Sequence, residues 1–357
     1  MKSSKSKLMV ALMAVTSAAT FATTAEACSR ILWETDNHGV FVSRTMDWME
    51  ANQPTIEVRH AGQQYKGHSS ELGKTWTSKY ASIGMTLYGM GLVDGFNEVG
   101  FSANGLFLDE ESTGDLSGDL AQVSNAIFVA YLLDNFASVE EALENIHDIE
   151  IQQFSHNGHF MRGHYSIQDQ SGDSAILEFL DDGWTIYHGK QYDVMTNSPT
   201  FQEHLTNWDQ AQPTADDVVD GVFPVPGNIN SAQRFVWNKY MKSQLTEPSS
   251  YTNGLAKIDS VTYKIPLDAA NRADAAGVMR GYATIYSVGY NLDQKVMQVR
   301  YQFGDAYTHF FVDFNALNDG KNYAIDADNP ELFGDVTEQF TQSTGVMANY
   351  VTRHHAG

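Results

Sequence analysis

Cysteine occurs once in the 357 residues, at Cys28, directly after Ala25-Glu26-Ala27. The A-x-A triplet closes a leader-like segment, with Lys2, Lys5 and Lys7 as a positive start and Leu8 to Ala22 as an apolar or small-residue run. Cleavage after Ala27 would make Cys28 the first residue and give it both a thiol and a free α-amine. Such a residue carries nucleophile and base together. The thiolate is the nucleophilic form of cysteine. An α-amine with an ordinary pKa near ~8 is partly neutral around pH 7 and can accept the thiol proton. No histidine is required.

Exported proteins ordinarily use cysteines in pairs, and a single one excludes an intramolecular disulfide. Two other readings are a small buried hydrophobe and the lipidated first residue of a lipoprotein. The position argues against the first, and the acidic Glu26 just upstream against the second.

The segment after Cys28 must position it. Ser29 to Thr35 and Val40 to Arg44 are strand-like runs around the turn formers Asp36-Asn37-His38-Gly39. If Thr35 faces Val40, Cys28 faces Asp47, and a carboxylate stands beside the new N-terminus. Arg44 lies an odd number of residues from Asp47, so a regular strand points the two to opposite faces. Both reach Cys28 only with a bulge or a strand end near Thr45-Met46. From spacing alone, an ordinary surface ion pair is the simpler reading.

These residues, with others further along, resemble the choloylglycine hydrolases, the family of bile salt hydrolases and penicillin V acylases. Its opening signature stands here as Cys28 followed by Arg44-Thr45-Met46-Asp47-Trp48. Asp94-Gly95-Phe96-Asn97-Glu98-Val99-Gly100 is similar to its D-G-x-N-E-x-G block, Thr196-Asn197-Ser198-Pro199 to its T-N-x-P, and Pro226 to Phe235 to its P-G-x-x-x-S-x-x-R-F.

The resemblance implies an αββα N-terminal-nucleophile hydrolase fold, α+β in class, and a set of roles. Cys28 attacks the amide carbonyl, Arg44 and Asp47 position the thiol and α-amine, Asn197 donates to the oxyanion, and Arg234 adds positive charge. Where the family often carries Asn or Tyr, this chain has Phe107, so a side-chain hydrogen bond to substrate is lost there. Phe107 and Trp48 then suggest an aromatic-lined acyl pocket, with core packing as the plain alternative. The short segment between the T-N-x-P and S-x-x-R-F blocks, with the export signal, is similar to the Gram-negative branch. That favours penicillin V and acyl-homoserine lactones over conjugated bile salts. A periplasmic binding protein that kept the fold without turnover is the reading from another class. Relatives in the family are often tetramers.

Local physics fits these assignments. Tyr192 to Thr196 reads as a short strand ending at the Asn197-Ser198-Pro199 turn. Ser231 reads as an N-cap that puts Arg234 in the first helical turn, where a cation opposes the helix dipole. Ser124 to Ile146 has helical periodicity with Val139, Ala142, Leu143 and Ile146 inward, and Ile167 to Phe179 reads as a hairpin turning at Asp169 to Gly172.

The bulk numbers limit the alternatives. Hydrophobic residues make up 42% and charged residues 18%, a globular balance. The formal charge of −22 repels phosphate backbones and anionic lipid, so nucleic acid is not an expected partner. No stretch after the leader is apolar enough to span a membrane. The expectation is residues 28–357 as one domain, periplasmic or secreted, acting on a small-molecule amide without cofactor or metal. His156, His159 and His164 lack a partner at metal-ligand spacing and read as loop and strand edge. Asp109-Glu110-Glu111 reads as a solvated loop rimming the pocket.

Overall fold

The computed structural model describes residues 28–48, 50–112, 119–156, 159–213, 225, 229–265, 282–303 and 306–345. The leader, Pro226 to Asn228 and the C-terminal His354-His355 pair lie outside them.

Two antiparallel-rich sheets stack face to face. The first has seven strands in the order Val194–Met195, Ser29–Glu34 (β1), Val40–Asp47 (β2), Thr284–Asn291, Val296–Phe303, Ala306–Asp313 and Phe333–Asp335. The second has nine, centred on Ser82–Leu87, Gly91–Asn97, Ser102–Leu106 and His164–Gln168. β2 is buried at all eight positions, as a central strand covered on both faces must be.

Helices close the outer faces. Phe128–Asn135 (α1) and Val139–Asn145 (α2) cover the second sheet. There, Phe128, Leu132 and Leu133 form one core with Leu92, Phe101 and Ile167. Phe201–Ala211 (α3), Ser231–Ser243 (α4) and Tyr251–Val261 (α5) lie over the first sheet. Phe235, Leu255 and Ile258 join Val42, Val288 and Met297 in the core that continues between the sheets. This is the αββα arrangement. Apolar burial at roughly 25 cal/mol per Å² is what holds such layers together.

Three local readings of the sequence are corrected. Glu34, not Thr35, faces Val40, so the β1–β2 register is shifted by one and Thr45 faces Ser29. Thr35 instead closes the turn, its N–H and hydroxyl both reaching the Gly39 carbonyl (3.1 and 2.7 Å). The helical stretch from Ser124 to Ile146 is broken after Asn135. Phe136 is extended, and Ser138 starts α2 as its N-cap by accepting the Glu141 N–H at 3.1 Å. Leu143 is half-buried, while Val139, Ala142 and Ile146 are buried. The cap of α4 is Asn230, whose side chain accepts the Gln233 N–H, and Ser231 is the first helical residue. The 167–179 hairpin forms with its turn where expected, between His164–Gln168 and Ser174–Leu180.

Gly95 shows why the Asp94-Gly95 pair matters to the sheet. Its φ is +154°, and a Cβ there would stand 2.3 Å from the Ile83 carbonyl oxygen. Gly95→Ala should therefore cost about 1–3 kcal/mol, read as a lower urea midpoint at unchanged m-value; an unchanged midpoint would refute the close approach.

Candidate active site

Cys28 stands just before β1 and is only 2% exposed, at one end of a cleft between the sheets. Its Sγ lies 3.8 Å from the backbone carbonyl oxygen of Asp47, the last residue of β2. The irregularity needed to bring Arg44 and Asp47 to one place falls on the neighbouring strand. Opposite the end of β2, the register passes from Thr284–Asp47 to Tyr286–Met46, leaving Ile285 extra.

Arg44 and Asp47 do not form a surface ion pair; both are buried. The carboxylate partner of Arg44 is Asp94, 3.5 Å away on the second sheet. Its guanidinium also donates to the Tyr286 hydroxyl and the Gly105 carbonyl, each at 3.3 Å. Tyr290 donates to the other Asp94 oxygen at 2.5 Å. Burial disfavours the Arg44 charge, but Tyr286, Cys28 and Asp94 outweigh it and hold the guanidinium firmly protonated. Burial pushes the Asp94 carboxyl up, against the pull of Arg44.

Asp94, Tyr286 and Tyr290 are site residues that sequence reasoning missed. Asp94 stood inside a quoted motif, and its buried aspartate next to a glycine was the available signal. The tyrosines, four apart on one strand, carried none.

Arg234, on α4, reaches across from the other side. Its Nη1 donates to the Cys28 carbonyl (2.5 Å) and Ser29 Oγ (2.8 Å), its Nε to the Ile229 carbonyl (2.9 Å), and its Nη2 to Asn197 Oδ1 (3.1 Å). With its Oδ1 so held, Asn197 turns its Nδ2 toward the Phe107 carbonyl at 3.0 Å. The Asn197 carbonyl accepts in turn from Ser231 Oγ (2.8 Å) and His204 Nε2 (2.7 Å). Burial lowers the His204 pKa to about 4, so this ring is a neutral donor. The structure thus gathers all five candidate residues, Cys28, Arg44, Asp47, Asn197 and Arg234, around one point.

The cleft encloses an empty volume of about 700 Å³ out to its mouth, and Cys28 and Arg44 are among its lining residues. Trp48 and half-buried Phe107 both line it, with Met46, Leu87, Leu106 and Met161. Trp48 is fixed by donating from Nε1 to the Tyr88 hydroxyl at 2.6 Å. The wall is apolar apart from a few groups, which suits an acyl chain.

Glu111 is not solvated. It is 3% exposed beside the cleft, and burial raises its pKa to about 8. His164 is likewise interior, between Glu178 (3.1 Å) and the Thr196 carbonyl (2.6 Å). Among the described residues no group of three His, Cys, Asp or Glu side chains is gathered as metal ligands would be. Nor is any described helix long and apolar enough to cross a membrane.

Comparison with known proteins agrees with this geometry. The family model for linear amide C–N hydrolases, choloylglycine hydrolase family, matches residues 28–302. The chain belongs to the choloylglycine hydrolase family. It is 30% identical over 324 residues to a penicillin V acylase of Pectobacterium atrosepticum, covering 82% of each chain. It is 24% identical over 255 residues to a bile salt hydrolase/transferase of Bifidobacterium longum subsp. longum, covering 65% of this chain and 78% of that one. The solved penicillin V acylase of Agrobacterium tumefaciens superposes with a TM-score of 0.77 at 27% identity, over 89% of this chain and 98% of that one. A conjugated bile acid hydrolase of Clostridium perfringens shares the fold at 20% identity and a TM-score of 0.69, over 86% and 98% of the two chains. The protein is therefore a hydrolase of linear amide C–N bonds, with a fold in which the cysteine stands directly before β1.

Two expectations follow from the electrostatics. While residue 27 remains attached, burial pushes the Cys28 thiol from its ordinary 9.0 up to about 11, only partly offset by Arg44 and Arg234. Such a thiol holds about a hundredfold less thiolate at pH 8 than an ordinary one. Iodoacetamide should label the uncleaved chain correspondingly slowly by intact mass; labelling at the rate of a free thiol would contradict it. Asp94→Asn keeps the shape but strips Arg44 of its counter-ion, and should cost about 3–5 kcal/mol in urea denaturation.

Proposed function

We propose that Cys28, freed by removal of residues 1–27 in the periplasm or on secretion, is the nucleophile of an acylase for penicillin V and N-acyl-homoserine lactones. The observation that carries the reading is that the sole cysteine borders both an apolar acyl-sized cleft and a buried carboxylate, Asp47, whose Oδ1 makes no hydrogen bond within 3.5 Å among the described residues. In the uncleaved chain the Cys28 nitrogen is an amide. Cleavage converts it to an amine, and an ammonium near Asp47 answers that orphan acceptor. Burial has raised the Asp47 pKa to about 7, with Arg234 pulling against it. A nearby cation pulls it further down and keeps the carboxylate ionised.

In the proposed reaction the α-amine takes the thiol proton and the thiolate attacks the amide carbon. The negative charge passes to the carbonyl oxygen, toward which Asn197 Nδ2 offers an N–H. Arg44 and Arg234 lower the cost of that charge in a dry site, where such contacts are worth several kcal/mol. The intermediate then collapses, the C–N bond breaks, and the α-ammonium returns its proton to the departing amine. Water hydrolyses the thioester and regenerates the thiol. Trp48 and Phe107 contact the acyl group on this reading, and no cofactor takes part.

The higher identity to a penicillin V acylase than to bile salt hydrolases supports the acylase branch over conjugated bile salts. The test is amine release by mature protein and by Cys28→Ala from penicillin V, long-chain acyl-homoserine lactones, and glycine- and taurine-conjugated bile salts. Turnover of the first two that falls to background in the variant is expected. Turnover confined to the bile salts would replace the substrate assignment. Activity surviving in Cys28→Ala would remove the nucleophile.

A further inference from the structure

The cleft's outer wall is a separate two-stranded hairpin, Phe154–His156 paired with His159–Met161, which belongs to neither large sheet. Phe154 and Met161 face each other at its open end, and both line the cleft. A small hairpin alone is marginal. Something must fasten it.

The fastening is Asn125, in the 3-10 turn before α1. Its Oδ1 accepts the Phe154 N–H at 3.0 Å, and its Nδ2 donates to the Met161 carbonyl. One side-chain amide thus ties the backbones of both strands at the residues that form the wall. The other Nδ2 hydrogen goes to Glu111 Oε2 at 3.1 Å. Glu111 Oε2 also accepts the Gly163 N–H at 3.0 Å, just past the hairpin, and Oε1 lies 3.3 Å from the Tyr165 hydroxyl. Gln153, the residue before the hairpin, donates to the Glu111 and Ser112 carbonyls at 3.4 and 3.2 Å. Buried Glu111 and half-buried Asn125 therefore knit together the loop after Ser102–Leu106, the turn before α1, and both ends of the hairpin. Asn125, Gly163 and Tyr165 are themselves cleft-lining.

From this geometry we infer that Glu111 and Asn125 are positioning residues for acyl selectivity: they clamp the hairpin so that Phe154 and Met161 set how long an acyl chain the cleft accepts. The inference rests on the acyl-amide reading of the cleft. A rigid wall discriminates single methylenes, and a loosened one does so less. The carboxyl's raised pKa fits a neutral group that accepts through Oε2 and shares its proton with Tyr165. A glutamine can copy that pattern, with Oε1 accepting and Nε2 facing Tyr165; an alanine cannot. Arg162, which binds Asp109 at 3.1 Å, is the nearby cation.

The experiment uses the mature protein as wild type, Glu111→Gln, Glu111→Ala and Asn125→Ala, with a homologous series of acyl amides from butanoyl to dodecanoyl. Wild type and Glu111→Gln should share one chain-length profile. Glu111→Ala and Asn125→Ala should flatten it by about tenfold or more, through KM of the preferred acyl group and not through kcat. Hydrogen exchange is read on the same four proteins. Amides of residues 154–156 and 159–161 should open about tenfold or more faster in the two alanine variants than in wild type and Glu111→Gln, with β1 and β2 unchanged. Unchanged profiles with unchanged exchange would overturn the proposal, as would equal loss in Glu111→Gln and Glu111→Ala. Fast exchange at an unchanged profile would overturn the selectivity role. If the wild type hydrolyses none of the series, the acylase reading falls, and with it the selectivity role, while exchange still decides whether the clamp exists.

Discussion

The site depends on a cation held away from water. Arg44 is 1% exposed, and a guanidinium cannot shed its charge to escape burial. It must be neutralised in place, and the group that does so, Asp94, belongs to the opposite sheet. The ion pair therefore spans the gap between the two sheets at the point where the cysteine enters it. Tyr286 and Tyr290 complete the cage from the first sheet. Buried pairs of this kind contribute little net stability, because desolvation offsets attraction. What the pair supplies is a fixed positive charge beside Sγ and a fixed spacing between sheets whose apolar packing alone would tolerate sliding.

Asp47 and Cys28 have the opposite problem. Both are acids in a dry environment, and burial drives both toward their neutral forms. In the uncleaved chain nothing more is required, and a neutral thiol is an unreactive one. An α-ammonium at Cys28 would add a cation beside both. Its charge would favour thiolate and carboxylate together, so a single peptide cleavage would shift both of these protonation equilibria toward the ionised forms.

The residues gathered around Cys28 were legible because their types are rare or their spacing motif-like: a sole cysteine, an Arg and an Asp before a Trp, an Asn before a Pro, an Arg after a cap. Their neighbours were not. The β1–β2 register was misjudged by one because Thr35, a strand former by composition, spends its N–H and hydroxyl on the Gly39 carbonyl. Hydrophobic periodicity ran through Phe136-Ala137-Ser138 without showing that Ser138 would cap a new helix. Glu111 looked like solvent-facing charge in an acidic run, since sequence cannot show the three donors that receive it. Ser231 had the composition of a cap, yet Asn230 took that role and left the serine hydroxyl to Asn197. In each case a side-chain hydrogen bond to distant or adjacent backbone overrode a local propensity.

The two arginines divide the space around Sγ. Arg44 faces the apolar cleft, on the side where an acyl chain fits, and its bonds go to side chains and backbone of the β layers. Arg234 comes from the helical layer and binds the cysteine's own carbonyl, Ser29 and Asn197. A carbonyl carbon placed at Sγ would thus have its acyl side toward Arg44 and its oxygen toward the Arg234–Asn197 pair. Cys28 is the junction because it precedes β1 and ends where β2 ends, at the one edge where strands from the first sheet, Asp94 from the second and α4 all converge. That convergence, more than any single residue, is what the proposed amide cleavage by a thiol at this position would draw on.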